Sequence, residues 1–146
     1  MVDVASEIII DRDRNAVAAF AGDPDRAPEW YANIKSVDWK SPKPLTLGTL
    51  LAFNAHFLGR RLSYTYEVVD HVPGQRLVMR TVDGPFPMET TYEWTSVSPR
   101  STRMTLRNRG EPSGFSAIAG PFVAFLMRRE NRKDLSRLKV ILERGL

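Results

Sequence analysis

The sequence predicts an α+β fold in which a curved, seven-stranded antiparallel sheet wraps around a long C-terminal helix and encloses an internal cavity. Three observations predict this fold. Residues 47–111 form short segments of alternating apolar residues, with turn signals between them. Their apolar residues stay on one side of the sheet from each hairpin to the next. Residues 121–142 have the apolar spacing of a helix and are long enough to cover that side.

The N-terminal elements supply two of the seven strands. Val2 to Ile10 is rich in β-branched residues and predicts the first strand. Asp13 can cap a short helix that ends at Gly22-Asp23-Pro24, and a second short helix follows. The second strand is predicted from Ile34 to Lys40, before the loop Ser41-Pro42-Lys43-Pro44.

The other five strands form a predicted meander, and the faces of its hairpins can be compared. Side chains in a strand alternate between the two faces, so a correct pairing brings apolar side chains together on one face. The pairs expected across successive hairpins are Phe53 with Tyr66, Met79 with Met88, and Trp94 with Met104. The meander therefore has one apolar face, which the last helix must cover.

The closing helix is predicted from Pro121 to Leu142, with the proline in its first turn. One stripe of this helix is formed by Met127, Asn131, Leu135, Leu138 and Leu142. No internal repeat or linker divides the chain, so residues 1–146 are predicted to be one ligand-binding domain.

Composition excludes several classes of protein and site. The chain has no cysteine, which removes disulfides, thiolate metal sites and cysteine nucleophiles. Neither a metal nor a cofactor is expected, because no P-loop, G-x-G-x-x-G or H-E-x-x-H motif is present. The N-terminus has no secretory signal, and the longest uncharged stretch is shorter than the about 20 residues that a spanning helix needs. A cytoplasmic location without stable membrane insertion is expected.

The net charge of +4 comes with a basic C-terminal segment. Its residues Arg129 and Lys133 alternate with Glu130 and Asp134 at helical spacing, which is typical of a solvated helix face. No aromatic residue interrupts the basic run and no nucleic-acid-binding motif accompanies it, so a nucleic-acid partner is not expected. Docking of the basic helix to anionic lipid remains a minor alternative.

Several stretches resemble a known superfamily in their order and spacing. They are Ile10 followed by Asp11-Arg12-Asp13-Arg14-Asn15-Ala16-Val17, Asp23-Pro24 running to Pro28-Glu29-Trp30, Leu47-Gly48-Thr49, Val68 with Pro73, Ser101-Thr102-Arg103-Met104, and Asp134-Leu135-Ser136-Arg137-Leu138-Lys139. Over essentially its whole length the chain resembles bacterial single-domain members of the START-like superfamily (SRPBCC). This superfamily is also called Bet v 1-like, or polyketide cyclase/dehydrase and lipid transport.

The resemblance implies a helix-grip fold of order β-α-α-β6-α, with a cavity between the sheet and the long helix. Members of the superfamily use this cavity for lipids, sterols, polyketides or hormones, and they include carriers, receptors and cyclising enzymes. Because one fold supports all these activities, the resemblance does not select one of them.

The strand faces predict which side chains surround a ligand in the cavity. They are mostly aromatic residues and methionines, which suit a loosely specified apolar ligand. The predicted set is Trp30, Phe53, Phe57, Tyr64, Tyr66, Met79, Met88, Tyr92, Met104, Asn108, Phe122, Met127 and Asn131. A purely structural place in the core is an equal alternative for each position. For Asn131, a hydrogen bond to a neighbouring strand hydroxyl is the alternative.

Acid and base groups are scarce on the predicted inner face. Both histidines, His56 and His71, have outward parity, and so do the strand glutamates. Asp70 alone among the strand carboxylates has inward parity, close to a strand end. Hydroxyls and amides such as Thr90 and Asn108 remain to orient a ligand.

The favoured hypothesis is therefore a carrier or binder of a hydrophobic small molecule, such as a lipid or polyketide-like compound, that catalyses no reaction. The alternative is a polyketide cyclase or aromatase in which Tyr64, Tyr66 or Tyr92 handles the proton. No residue is assigned a catalytic role, and the oligomeric state stays open.

Overall fold

The computed structural model describes residues 2–57, 59–84, 87–111 and 120–145. The elements are β1 (Val2–Ile10), α1 (Arg14–Ala21), a 3-10 turn (Pro24–Arg26), α2 (Ala27–Trp30), β2 (Ile34–Trp39), β3 (Leu50–Phe57), β4 (Arg60–Val72), β5 (Arg76–Asp83), β6 (Met88–Ser98), β7 (Ser101–Gly110) and α3 (Gly120–Glu143). The strands form one antiparallel sheet of order β1-β7-β6-β5-β4-β3-β2. The predicted α+β fold and its element order are confirmed.

Local hydrogen bonds explain where the short helices begin. The Asp13 carboxylate accepts the N–H of Ala16 at 3.0 Å and caps α1. The Asp23 carboxylate accepts the N–H of Asp25 at 3.0 Å, and Pro24 follows it at the first position of the 3-10 turn. These two caps turn the chain back over one end of the sheet.

The strand faces agree with the prediction, but two of the three predicted registers are wrong by two residues. Trp94 pairs with Met104 as expected. Phe53 instead pairs with Tyr64, and Met79 pairs with Thr90. A shift of two residues leaves every side chain on its face, so the hydrophobic pattern cannot detect it. The turns set these registers.

A bulge in β4 changes the faces of the residues that follow it. The pairing shifts between Val68 and Asp70, so Asp70 lies opposite Val78 on the outer face. There its carboxylate accepts a hydrogen bond from Arg76 Nε at 2.7 Å. His71 lies opposite the buried Leu77, on the inner side of the sheet. The predictions of an inward Asp70 and an outward His71 are therefore wrong.

Helix α3 packs against the concave side of the sheet, mainly along β1. The predicted stripe is buried along the helix: Met127, Asn131, Leu135, Leu138 and Leu142. The last three join the main apolar cluster, while Met127 joins a second cluster with Val2, Val4, Tyr64, Met88 and Val123. In the described part of the chain, no helix combines the length and apolar character needed to cross a membrane.

Candidate functional site

A cavity of ≈ 160 Å³ lies between the concave face of the sheet and the part of α3 that carries Met127, Asn131 and Asp134. Nine of the predicted site residues line it: Phe53, Tyr64, Tyr66, Met79, Met88, Tyr92, Asn108, Met127 and Asn131. Most of its surface is apolar, and the polar atoms come from a small number of tyrosine, asparagine, threonine and aspartate side chains. Ligand contact by these residues stays a prediction.

Three predicted residues with described side chains do not line this cavity: Trp30, Met104 and Phe122. Trp30 and Met104 are fully buried in the main apolar cluster. The Trp30 ring packs against Tyr31 and Tyr92, with centroids 4.1 and 5.9 Å apart, so it supports the pocket wall from behind. The side chain of Phe57 lies outside the described residues.

The prediction that Phe122 points inward is wrong, because its side chain is 59% exposed. Phe122 precedes Met127 by five residues, which is about 140° around a helix of 3.6 residues per turn. Once the stripe beginning at Met127 faces the sheet, Phe122 must face away from it.

Seven lining residues are outside the predicted site set. Ala55, Leu62 and Thr90 lie on strand faces that were predicted to be inward, whereas the other four were missed: Tyr31, Asn33, Ile34 and Asp134. The first two lie between α2 and β2, where the sequence has no periodicity. Asp134 was assigned to the solvated face with Glu130, but it is only 3% exposed. Its position, seven residues after Met127 on the same helix, was a signal that could have placed it on the buried stripe.

Two tyrosine hydroxyls meet at the wall of the cavity. Tyr31 and Tyr92 are hydrogen-bonded to each other, oxygen to oxygen, at 2.6 Å. Burial raises the pKa of the Tyr31 phenol well above its usual value, and Tyr92 nearby raises it further. Burial likewise raises the pKa of Tyr92. Both phenols are therefore protonated at neutral pH, and they can donate hydrogen bonds but do not serve as bases.

A second polar group spans β4, β6 and β7. Thr90 and Asn108 lie opposite each other, and the Thr90 hydroxyl donates to Asn108 Oδ1 at 2.7 Å. Burial raises the pKa of the Tyr66 phenol, and the nearby Thr90 side chain opposes this shift. Burial raises the pKa of Tyr64 to about 12. These groups are thus also neutral at physiological pH.

Asp134 is the titratable acid of the pocket. One of its carboxylate oxygens, Oδ1, accepts the N–H of Ala32 at 3.1 Å. The pKa of Asp134 is raised to about 6, mainly because burial removes the hydration of the charged form, and partly because Glu130 is nearby. The Ala32 N–H and the cations Lys133 and Arg137 oppose this shift. The carboxyl can therefore exchange a proton near neutral pH.

Asn131 lies one turn before Asp134 and is 6% exposed. Its amide nitrogen Nδ2 is buried and has no hydrogen-bond partner among the described residues. The hydrogen bond to a strand hydroxyl that is the alternative for Asn131 is therefore not made by this nitrogen. An unpaired donor of this kind is costly in the ligand-free protein and is available to an acceptor on a ligand.

His71 does not belong to this site. It lines a separate groove with Leu77 and Trp94, between the sheet and α1. His56 lies on the outer face with Arg61. The cavity itself therefore combines apolar walls, neutral hydrogen-bond donors and one carboxyl group.

Comparisons with known proteins agree with this architecture. A family model described as "Polyketide cyclase / dehydrase and lipid transport" matches residues 1–143. No curated protein matches the sequence. Among solved structures, a START superfamily protein from Mycobacterium smegmatis superposes with a TM-score of 0.85 at 15% identity, covering 99% of both chains.

Two further solved structures have the same fold. A protein from Thermus thermophilus superposes with a TM-score of 0.82 at 18% identity over 99% of both chains. A Streptomyces aromatase/cyclase superposes with a TM-score of 0.80 at 14% identity, covering 97% of this chain and 93% of its own. At these identities the likeness establishes the helix-grip fold.

Proposed function

The chain belongs to the polyketide cyclase / dehydrase and lipid transport family, and from that premise we propose that its cavity binds an apolar small molecule that carries a hydrogen-bonding oxygen. One observation carries the proposal. A mostly apolar cavity has Asn131 Nδ2 in its wall, without a hydrogen-bond partner among the described residues, together with the Tyr31–Tyr92 pair and Asp134. A carbonyl or hydroxyl oxygen on a ligand would supply the acceptor that this amide lacks.

The size of the cavity limits the part of the ligand that it encloses. Its volume of ≈ 160 Å³ is close to that of engineered cavities that hold one benzene ring, and it is below the several hundred Å³ usual for larger ligands. The enclosed part is therefore one ring or a short chain. Met79, Met88 and Met127 line the cavity, and their flexible side chains can adapt to a longer lipid or polyketide-like molecule.

The proposal is tested first by identifying what the protein carries. Native mass spectrometry of protein from its own host, followed by extraction, should give a bound compound with an apolar body and at least one oxygen. A panel of aromatic ketones, phenols, fatty acids, sterols and linear polyketide mimics should then be tested, and affinity should be highest for the compounds whose shape best matches the cavity. Absence of binding by every member of the panel would contradict the proposal.

Phe53→Asp provides a matched test of the location, because it would place an unpaired charge in the pocket wall. It should abolish binding of the panel ligands. Val97→Asp, at an exposed site on β6, is the control and should leave their affinity unchanged. Equal binding by the two variants would mean that the ligand lies elsewhere.

Asp134 favours a second candidate function, an enzyme of the cyclase or aromatase type. The ionised carboxylate could remove a proton from a carbon between two carbonyl groups, and Asn131 Nδ2 could donate a hydrogen bond to the resulting enolate oxygen. The carbanion would attack another carbonyl carbon farther along the same chain, whose C=O π electrons move to its oxygen, and the proton held by Asp134 would pass to the alkoxide that forms. The tyrosines act in this scheme as hydrogen-bond donors, since burial keeps them protonated.

The two candidates differ in what Asp134→Asn changes. In a carrier, this substitution leaves every ligand chemically unaltered and has a small effect on affinity. In an enzyme, product formation from a linear polyketide mimic falls by two to four orders of magnitude while binding persists. Chromatography of the mimic after incubation with each protein separates these outcomes.

A further inference from the structure

The outer face of the first half of α3 exposes two large apolar side chains. Phe122 is 59% exposed and Phe125 is 57% exposed. They lie three residues apart and are therefore neighbours on one side of the helix. Burial of a phenylalanine is strongly favourable in water, so two adjacent exposed rings indicate a surface that meets an apolar partner.

Cationic residues continue the same face of α3 along the next turns. Arg129, Arg132 and Lys133 are exposed and lie seven, ten and eleven residues after Phe122. These spacings are two to three helical turns, so the three cations lie on the same side of the helix as the two rings. Lys133 approaches the Glu130 carboxylate at 3.9 Å. For the two arginines, no ion pair is found with any described residue. We call these five residues, Phe122, Phe125, Arg129, Arg132 and Lys133, the α3 outer face.

The opposite side of the same turns forms one end of the cavity. Val123 packs with Met88 and Tyr64, and Met127 lines the cavity itself. The α3 outer face is therefore separated from the ligand site only by the thickness of one helix.

We propose that the α3 outer face docks the protein on an anionic phospholipid bilayer. The two phenylalanine rings enter the boundary between headgroups and acyl chains, and the cations bind the anionic headgroups. Exposed apolar rings followed by exposed cations on one helix face are the combination that such an interface requires. A ligand would then enter or leave the cavity beside the bilayer in which it dissolves.

Other partners fit this surface less well. A nucleic acid or an acidic protein would account for the cations but would leave the two exposed phenylalanines in contact with polar groups. A second copy of the chain would bring like charges together across a two-fold axis. An anionic bilayer accommodates both the phenylalanine rings and the cations of this surface.

The test is cosedimentation of the full chain with vesicles of phosphatidylcholine alone, or of phosphatidylcholine with about a third phosphatidylserine, at low salt and at 0.5 M NaCl. Binding is expected only to the anionic vesicles and should fall by about tenfold or more at high salt. The double variants Phe122→Ser/Phe125→Ser and Arg129→Gln/Arg132→Gln should each weaken it by about tenfold.

The control variant is Val97→Ser/Arg100→Gln, which removes an exposed apolar residue and an exposed cation at the β6–β7 turn. It should bind as the unmodified protein does, and far-UV circular dichroism should be the same for all variants. Failure to bind anionic vesicles at low salt would overturn the proposal. So would retention of binding in the phenylalanine variant, binding to DNA or polyglutamate in place of vesicles, or a dimer that this variant dissociates.

Discussion

Two parts of α3 face the same sheet but bury different kinds of side chain. In the C-terminal part, from Leu135 onward, Leu135, Leu138 and Leu142 are fully buried in the main apolar cluster. In the part before it, up to Asp134, the buried positions include Asn131 and Asp134, and they border the cavity. The difference indicates that the C-terminal part stabilises the fold, while the part before it gives up some stability to keep polar groups available inside.

The largest effect is expected where the helix is purely structural. Leu138→Ala should leave a cavity in the main cluster and lower the free energy of unfolding by about 2–5 kcal/mol. Denaturant unfolding measures this loss. Ligand affinity, measured on the fraction that stays folded, should change little, because Leu138 does not line the cavity. A loss of unfolding free energy below about 1 kcal/mol would contradict the structural role given to the C-terminal part of α3.

Asp134 should make stability depend on pH in a direction opposite to that of most carboxylates. Its pKa is raised from 3.8 to about 6, so the folded protein binds this proton more tightly than the unfolded chain does. Between about pH 4 and 6 the folded state holds more protons, and the free energy of unfolding therefore falls as the pH rises. This contribution is fully present below pH 4 and is lost above pH 6.

Asp134→Asn cannot ionise, yet it keeps an oxygen that can accept the Ala32 N–H. It should remove this part of the pH dependence and stabilise the protein at pH 7 by about 3 kcal/mol. Unfolding curves between pH 4 and 8 test this, with Asp11→Asn at an exposed site as the control. A variant with unchanged pH dependence would show that Asp134 titrates normally.

Asn131→Leu should separate stability from binding. It replaces an amide whose buried nitrogen has no partner among the described residues with an apolar side chain, so the ligand-free protein should become more stable by about 1 kcal/mol. Affinity for an oxygen-bearing ligand should fall at the same time. Thermal unfolding and titration calorimetry measure the two effects, and a destabilised variant would mean that Asn131 is already satisfied in the folded protein.

The smallest effect is expected at the tyrosines. Tyr92→Phe removes the hydroxyl that is hydrogen-bonded to Tyr31, and it should weaken ligand affinity by about tenfold or less, the equivalent of one hydrogen bond. Tyr66→Phe should behave similarly. Calorimetric titration of both variants checks this, and a loss of several orders of magnitude would give the phenols a larger role than orientation.

Sequence periodicity predicted the sheet and the helix well, because the spacing of apolar residues depends only on which side of each element is buried. Which face of each strand is inward follows from alternation, so the inward side of Phe53, Tyr66 and Met79 was predictable. The registers of two hairpins were not, because a shift of two residues leaves the pattern unchanged. The bulge after Val68 was also invisible, and it reversed the faces of Asp70 and His71.

The candidate site was less predictable, because polarity was used to decide exposure. Asp134 lies in a charged run and was assigned to solvent, although the spacing from Met127 places it on the buried stripe. Phe122 was assigned inward because it is apolar, although the same spacing places it outside. In both cases the geometry of the helix overrides the chemical character of the residue.

The central claim is that the cavity recognises an oxygen through Asn131, and one calorimetric comparison tests it most directly. Acetophenone and α-methylstyrene have nearly the same shape, but only the ketone offers an acceptor. The unmodified protein should bind acetophenone about tenfold more tightly, and Asn131→Leu should bind the two equally. Equal affinity for the two compounds in the unmodified protein would contradict the account.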